Sequence, residues 1–482
     1  MNFDTTGLLT PQGPHAERLN ASLDLNKVSW DGSITGAGKT FSACAIIRHR
    51  KQKFVVICPK KAIPTWKKVL AIFNLTPEFI INLEKLSRGN TKFYKRLTVN
   101  KYRKLHNIDK DTDIPLFVCG KLTFPKDWLI IVDESHKCKG VDSLNAGILF
   151  NIKRQGYTAH LMSATQACSP LDMRAFGYTV DLHNGEMKKF KEFCEEAGAK
   201  YVGKWGAMYF ESEDLESMSK LQKVRDYLFD FKKIGSRLTR KDFGDLFPEV
   251  TVENESIDMG NASIQIKAVY DEMEYELDRL EEKTQDYAAH VLAIIVKARR
   301  RAELLKVPTI VEMLSEFHDE GRSGLVFLNY TDTIESVIKR LSEIYNPNLI
   351  AQIYGGRSDK QCNQDIEDFQ LDKKIFAVAN LASGGQSISL HDIVGNRGRS
   401  SIINPSYSAI SVLQSAGRTD RANTKSDVYL RFLLAAGTIE STVGQRYNNK
   451  SAFISALNDG TLTDADLIPN NRLFKLVHGQ NI

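Results

Sequence analysis

Six short apolar runs constrain this chain more than any other feature: Phe54–Cys58, Leu129–Asp133, Ala159–Ser163, Leu325–Asn329, Ile375–Ala379 and Ser401–Asn404. Each is too short for a helix, rich in β-branched or aromatic residues, and ended by a polar or small-residue loop. Near-continuous apolarity predicts strands buried on both faces, as in a parallel sheet covered by helices. The segments between them are long enough for helices, so the predicted class is α/β. The runs fall into two groups, before about residue 165 and after about 324. A length of 482 residues, at roughly 100–200 residues per domain, suggests three domains.

The middle of the chain differs in texture. Residues 186–232 are polar, aromatic and charged. Residues 263–306 read as one or two long helices, with Val269, Met273, Leu277, Leu280, Tyr287, Val291, Ile294 and Leu305 at roughly helical spacing. Asp271–Asp286 holds eight acids and two bases, whereas Lys297–Lys306 holds five bases and Glu303 alone among acids. That basic segment is either a solvated helical face or a ridge facing phosphates. The whole chain carries +6, but the acidic stretch contributes −6, so the other 466 residues carry +12. A polyanion partner is permitted by this balance, not demanded.

Several classes are excluded. The start lacks the basic and apolar regions of a signal peptide. The most apolar stretch, Tyr287–Val296, contains His290 and is too short to span a bilayer. Seven scattered cysteines with no Cys-x-x-Cys pair predict reduced thiols, no zinc site and a cytoplasmic setting, with no membrane partner.

The motifs carry the chemistry. Ser33-Ile-Thr-Gly-Ala-Gly-Lys-Thr40 follows a short predicted strand, Val28–Trp30, and precedes a predicted helix, Phe41–Arg50. Strand, loop and helix in that order suit phosphate binding. Thr35, Gly36, Ala37 and Gly38 supply the turn and its backbone N–H groups, Lys39 reaches the phosphates, and the Thr40 hydroxyl ligates Mg2+. The first loop position is Ser33, where the strict pattern has glycine. Leu129–Asp133 ends in paired carboxylates: Asp133 is placed to hold Mg2+ and Glu134 to orient and deprotonate water. Ser163-Ala-Thr165 follows another apolar run and by itself says nothing.

In this order the motifs resemble superfamily 2 nucleic-acid helicases and translocases, and within them the Swi/Snf-like branch. The form Asp133-Glu-Ser-His136 points there. Val55–Pro59 with Trp66, Asn82–Leu86, and Arg237–Phe243 with Pro248 look like further blocks of the first lobe. Phe327–Tyr330, Tyr354–Gly356, Ala382–Asp392 and Gln414–Arg421 look like the second-lobe motifs. Wording such as Ser389–Asp392, Asn404–Ala409 and Thr438–Glu440 is similar to compact phage or large-virus helicases, which would place the protein in a host cytoplasm. Departures stand beside the likeness. Ala16 occupies the spacing of the adenine-reading glutamine, leaving Gln12 as a candidate, and Gln166 stands where relatives have proline.

The resemblance implies two RecA-like lobes with a helical insertion: lobe 1 over 1–240 with a protrusion near 186–232, linker and insertion over 241–310, and lobe 2 over 311–482. It implies an ATP- and Mg2+-dependent ATPase acting on DNA, duplex or branched, in branch migration, annealing or fork remodelling, alongside replication or recombination proteins. RNA is the alternative partner, and a slowly turning ATP-gated switch is the alternative activity. Glu134, Gln414, Arg418 and Arg421 are implied at the γ-phosphate, the two arginines sharing a helix face three residues apart. His136, Ser163, Ala164 and Thr165 would couple the nucleotide state to the nucleic acid, although His136 equally suits a simple strand-end hydrogen bond. Candidate nucleic-acid contacts are Lys60 and Lys61, otherwise a solvated turn, Ser383, Gly384 and Gly385, and the Arg397/Arg399 loop.

Overall fold

Each of the six apolar runs forms a strand. The computed structural model describes residues 3–89, 91–109, 115–140, 142–202, 207–211, 214–253, 256–280, 287–381, 388–404 and 415–440. They fall into two compact units divided between Gly244 and Asp245.

In the first unit the strands are Val28–Asp31 (β1), Phe54–Cys58 (β2), Phe79–Asn82 (β3), Tyr94–Arg96 (β4), Gly120–Leu122 (β5), Leu129–Asp133 (β6), Thr158–Met162 (β7), Lys200–Val202 (β8), Ala207–Tyr209 (β9) and Gly235–Ser236 (β10). Six of them build one parallel sheet in the order β10-β1-β7-β6-β2-β3. The antiparallel pairs β4–β5 and β8–β9 stand apart from it. The helices that matter below are Gln12–Asn26 (α1), Lys39–Arg50 (α2), Ile63–Ile72 (α3), Leu83–Ser87 (α4), Val99–His106 (α5) and Leu144–Arg154 (α6). On one face of the sheet Leu19, Ile46 and Trp66 pack on Val56 and Ile131. On the other, Ile148 and Phe150 join Trp30, Ile130 and Leu161. Both faces are therefore dry, which is why these strands read as unbroken apolar runs. Lys27 adopts a left-handed conformation (φ 58°) and closes α1 onto the carbonyl of Leu23, so the chain turns directly into β1.

The second unit repeats the plan. Val250–Glu253 (β11), Ser256–Ile257 (β12), Ser323–Leu328 (β13), Ile350–Ile353 (β14), Phe376–Asn380 (β15), Arg399–Ile403 (β16), Val428–Phe432 (β17) and Leu434–Ala435 (β18) include a parallel sheet ordered β11-β17-β16-β13-β15-β14. Leu314, Val337 and Leu341 from flanking helices cover Val326 and Val378. Both units are thus α/β layers of the RecA-like kind. The strands that escaped the apolar-run reading are interrupted by polar residues or lie at sheet edges: Gln352 breaks β14, Arg431 breaks β17, and β3, β10 and β11 are edge strands.

Two helices, Asn261–Asp278 and Tyr287–Leu305, are joined face to face by Ile266, Val269 and Met273 against Val291, Ile295 and Ala298. Their opposite charges meet. Lys297 reaches Glu276 at 2.7 Å, Arg301 reaches Glu272 at 2.5 Å, and Arg300 reaches Asp332 at 2.7 Å. Lys306 is fully buried, donating to Asn404 Oδ1 (2.9 Å), the Leu433 carbonyl (3.0 Å) and Glu440 Oε2 (2.6 Å). Lys297, Arg300 and Arg301 are thus exposed and paired with the protein's own carboxylates, as on a solvated helical face, whereas Lys306 lies in the core and fits neither reading. Among the described residues no helix is long and apolar enough to cross a membrane.

Candidate functional site

The carboxyl ends of parallel strands are where open α/β sheets gather ligands. Here the loop after β1, the acids ending β6 and the turn after β7 meet at one such edge. Gly36 and Gly38 take φ of 82° and 79°, the left-handed region that lets successive N–H groups turn to one side of the loop. A Cβ on Gly38 would stand 2.3 Å from Gln12 Nε2. Helix α2 starts at Lys39 and carries Thr40 in its first turn, so its unpaired N–H groups face the same space. Lys39 Nζ donates to the carbonyls of Ser33 (2.8 Å) and Ile34 (3.0 Å), which hold the ammonium beside the loop. Burial lowers its pKa, opposed by Asp31, Glu134 and Asp133.

A buried polar layer underlies the loop. His15 Nε2 is 3.1 Å from Asp31 Oδ2, and both side chains are inaccessible to solvent. His15 Nδ1 meets Ser236 Oγ at 2.8 Å, and Asp31 Oδ1 accepts from the Ser33 N–H at 2.9 Å. Burial by itself would raise Asp31; the His15 charge and hydrogen bond, with Lys39 and His160, hold it far below the usual carboxylate range. Ser33, the departure from the glycine pattern, uses its hydroxyl to accept from the Leu238 N–H at 3.0 Å. Arg237 donates to the Gly32 carbonyl. The segment beginning at Arg237 is therefore laced to the phosphate loop. Gln12 is also engaged there: its Nε2 donates to the Ala37 carbonyl (2.8 Å) and its Oε1 accepts from the Leu9 N–H (2.8 Å). The geometry shows a brace between α1 and the loop.

Asp133 accepts from Trp66 Nε1 at 2.9 Å. Burial, then the adjacent Glu134 carboxylate, raises its pKa against the pull of Trp66 and Lys39. A paired-acid site with a hydroxyl nearby offers hard oxygen donors. Among the described residues no cluster of three or more His, Cys, Asp or Glu could form a metal cage. That donor set fits Mg2+, which keeps water and substrate phosphates among its ligands.

Glu134 sits at φ 55°, a conformation costly for a non-glycine residue. His136 Nδ1 lies 3.2 Å from Glu134 Oε2 and 3.1 Å from Ser163 Oγ. Ser163 Oγ in turn accepts from the Thr165 N–H at 3.2 Å. Glu134, His136, Ser163 and Thr165 are thus brought into one chain, with Ala164 between its last two members. Gln166 also finds a role, accepting from Ser135 Oγ at 2.5 Å.

In the second unit Arg418 and Arg421 converge, but not on a helix face. Gly417–Thr419 is a turn, and Asp420 and Arg421 are irregular. Their guanidinium groups meet at one acceptor, the Ile388 carbonyl, at 3.2 and 2.7 Å. Gln414, Ser383, Gly384 and Gly385 lie outside the described residues. Arg399 is corrected as a nucleic-acid contact: it is fully buried, paired with Asp372 at 2.7 Å and Asp392 at 3.7 Å. Its neighbour Arg397 donates inward, to the Arg322 carbonyl at 3.1 Å. Lys60 and Lys61 lie in the turn after β2, at the same sheet edge as the phosphate loop.

Sequence reasoning missed His15, Asp31 and the Trp66–Asp133 bond. The one signal was Ser33 standing in a glycine position; the rest required knowing which strands are neighbours.

The family of the type III restriction enzyme res subunit matches residues 32–165, the stretch from the loop to Thr165. A protein of Acanthamoeba polyphaga mimivirus, named as an ATP-dependent RNA helicase, is 30% identical over 443 residues, covering 90% of this chain and 80% of that protein. Among solved structures, the Sulfolobus solfataricus SWI2/SNF2 ATPase core in complex with dsDNA aligns over 96% of this chain and 95% of its own, at 16% identity and a TM-score of 0.36. Saccharomyces cerevisiae Dbp5 bound to RNA and ADP BeF3 aligns over 95% and 94%, at 11% identity and 0.45.

Proposed function

This chain belongs to the superfamily 2 helicases and is a nucleic-acid-dependent ATPase, and from that premise we propose that it couples ATP hydrolysis to translocation on duplex DNA, acting in branch migration, annealing or fork remodelling. The observation that carries the coupling is His136. Its Nδ1 faces the Glu134 carboxylate and the Ser163 hydroxyl at nearly equal distance, and one N–H serves only one acceptor at a time. A change at Glu134 on hydrolysis is therefore felt at Ser163, on the edge of the sheet where Lys60 and Lys61 also stand.

The roles follow from chemistry. The loop N–H groups and Lys39 bind the β- and γ-phosphates. Thr40 and Asp133 would hold Mg2+, which when bound neutralises phosphate charge. Glu134 orients a water and takes its proton as the oxygen attacks the γ-phosphorus and the bond to ADP breaks. Arg418 and Arg421 stabilise charge on the transferred group. Lys60, Lys61, Ser383, Gly384 and Gly385 contact the nucleic-acid backbone, a sequence-independent grip suited to movement.

The Swi/Snf-like wording of the motifs supports duplex DNA. The name of the mimivirus relative favours a second reading, in which RNA is the track. ATP hydrolysis measured with duplex DNA, single-stranded DNA and RNA separates them: stimulation by duplex DNA is expected, and stimulation by RNA alone would replace the first reading with the second. Near-zero turnover with every nucleic acid would leave an ATP-gated switch.

A further inference from the structure

The edge of the first sheet opposite the phosphate loop is strongly basic. Residues 91–108 contain six Lys or Arg and no Asp or Glu. They form β4 and α5, outside the six-stranded sheet and outside the motifs named above. In the β4–β5 pair, Lys95 stands directly opposite Lys121, and both are exposed. Like charges directly across a strand pair are destabilising, so the fold has no use for this placement. Lys92 and Lys126 flank the pair and Lys27 closes α1 nearby; all three are exposed.

A stiff floor carries these lysines. Phe79 and Phe93 stack with ring centroids 3.7 Å apart, and Phe124 and Trp128 pack beside them. Lys126 lies over the Tyr157 ring at 3.7 Å and Lys92 over Phe93 at 5.0 Å. Burial, then the charges of Lys121 and Lys27, lower the Lys126 ammonium below its ordinary value, so these positive charges share one patch. Among the described residues none of Lys27, Lys92, Lys95, Lys121 and Lys126 is in an ion pair, in contrast to Lys297, Arg300 and Arg301 of the second unit.

Topology gives the patch its meaning. Lys27 immediately precedes β1, and Lys126 lies three residues before β6. The same two strands end in the phosphate loop and in Asp133. In a parallel sheet the two ends of the strands are opposite edges, separated by about 15 Å for strands of four or five residues.

We propose that this amino-end surface, centred on Lys95 and Lys121, is a second nucleic-acid contact that holds the phosphate backbone of another arm of a branched substrate. The inference rests on the nucleic-acid reading above but not on the choice of DNA. A backbone of evenly spaced phosphates suits scattered lysines on a rigid floor, because ammonium groups need no fixed approach angle. The surface would keep one arm attached while the motif edge moves along the other.

Charge reversal separates this role from a structural one. Lys95→Glu turns a repulsive cross-strand pair into an attractive one, so the melting temperature is expected to stay unchanged or rise. Binding should nevertheless weaken. We would measure fluorescence anisotropy of labelled forks, one of DNA and one of RNA, over about 50 to 200 mM salt. The wild type, Lys95→Glu and the double variant K95E/K121E would be compared, with ATPase activity on linear duplexes measured alongside. The double variant should bind the preferred fork roughly tenfold or more weakly at low salt, with a salt slope reduced by about 2. Its basal ATPase should be unchanged. Unchanged fork affinity and slope would overturn the proposal, as would wild-type failure to bind either fork, which would leave an acidic protein as the occupant. Wild-type stimulation by RNA alone would sink the DNA reading while the RNA fork still decided the surface.

Discussion

His15 Nε2 lies 3.1 Å from Asp31 Oδ2 with no solvent access to either side chain, directly beneath the phosphate loop. This contact ties α1 to β1, and through Ser33 and Ser236 it ties both to the segment around Arg237. Removing His15 leaves the buried Asp31 carboxylate without this partner, at a cost of about 3–5 kcal/mol. His15→Leu is expected to lose stability on that scale in urea unfolding. The pH dependence has a defined sign. Asp31 is held below its unfolded value, so its contribution is complete above about pH 4 and is lost as pH falls toward its own depressed pKa. Acid unfolding followed by circular dichroism should begin at higher pH in His15→Leu than in the wild type.

Glu134→Gln keeps the shape of the site and removes the base. ATP turnover should fall by roughly 10²- to 10⁴-fold, with ATP binding retained in an equilibrium assay. Turnover within a few fold of wild type would show that another group accepts the proton.

His136→Ala tests the link between the nucleotide and the nucleic acid. Basal hydrolysis should persist, because Lys39, Asp133 and Glu134 remain in place. The ratio of nucleic-acid-stimulated to basal rate should collapse toward one. Retained stimulation would mean that His136 only satisfies a strand-end hydrogen bond.

Gly38→Ala probes the loop itself. The backbone there has φ 79°, and the added methyl would collide with Gln12 Nε2. Nucleotide binding should be lost or reduced more than tenfold in a calorimetric titration.

Arg399→Ala should behave as a core mutation. It breaks pairs with Asp372 and Asp392 in a site without solvent, so thermal stability should drop by about 3–5 kcal/mol. The salt dependence of nucleic-acid binding by the folded fraction should stay as in wild type.

The strands of both sheets were largely legible in advance because burial on two faces leaves a local signature: a short, continuous apolar run. The phosphate loop and the acid pair were legible because their chemistry needs adjacent residues, as in Gly36 to Thr40 and Asp133-Glu134. Arg399 and Lys306 were misread for the opposite reason. A cation in sequence carries no mark of whether a carboxylate lies against it, and Asp392 or Glu440 becomes its neighbour only when the sheet is assembled. Lys95 and Lys121 show the same limit: they are 26 residues apart, and only strand pairing sets them face to face.

By itself, then, the amino-acid sequence determined the α/β class and the two groups of strands and supplied the residues proposed for the phosphate chemistry, since these depend on local composition and spacing. Tertiary structure alone decided which charges are spent internally and which face outward. His15 is committed to Asp31, Lys306 to Glu440 and Arg301 to Glu272, whereas the lysines around β4 and β5 remain at the surface. The physical reason is that a charge's energy depends on its desolvation and on the groups within a few ångströms of it, and those neighbours come from distant parts of the chain.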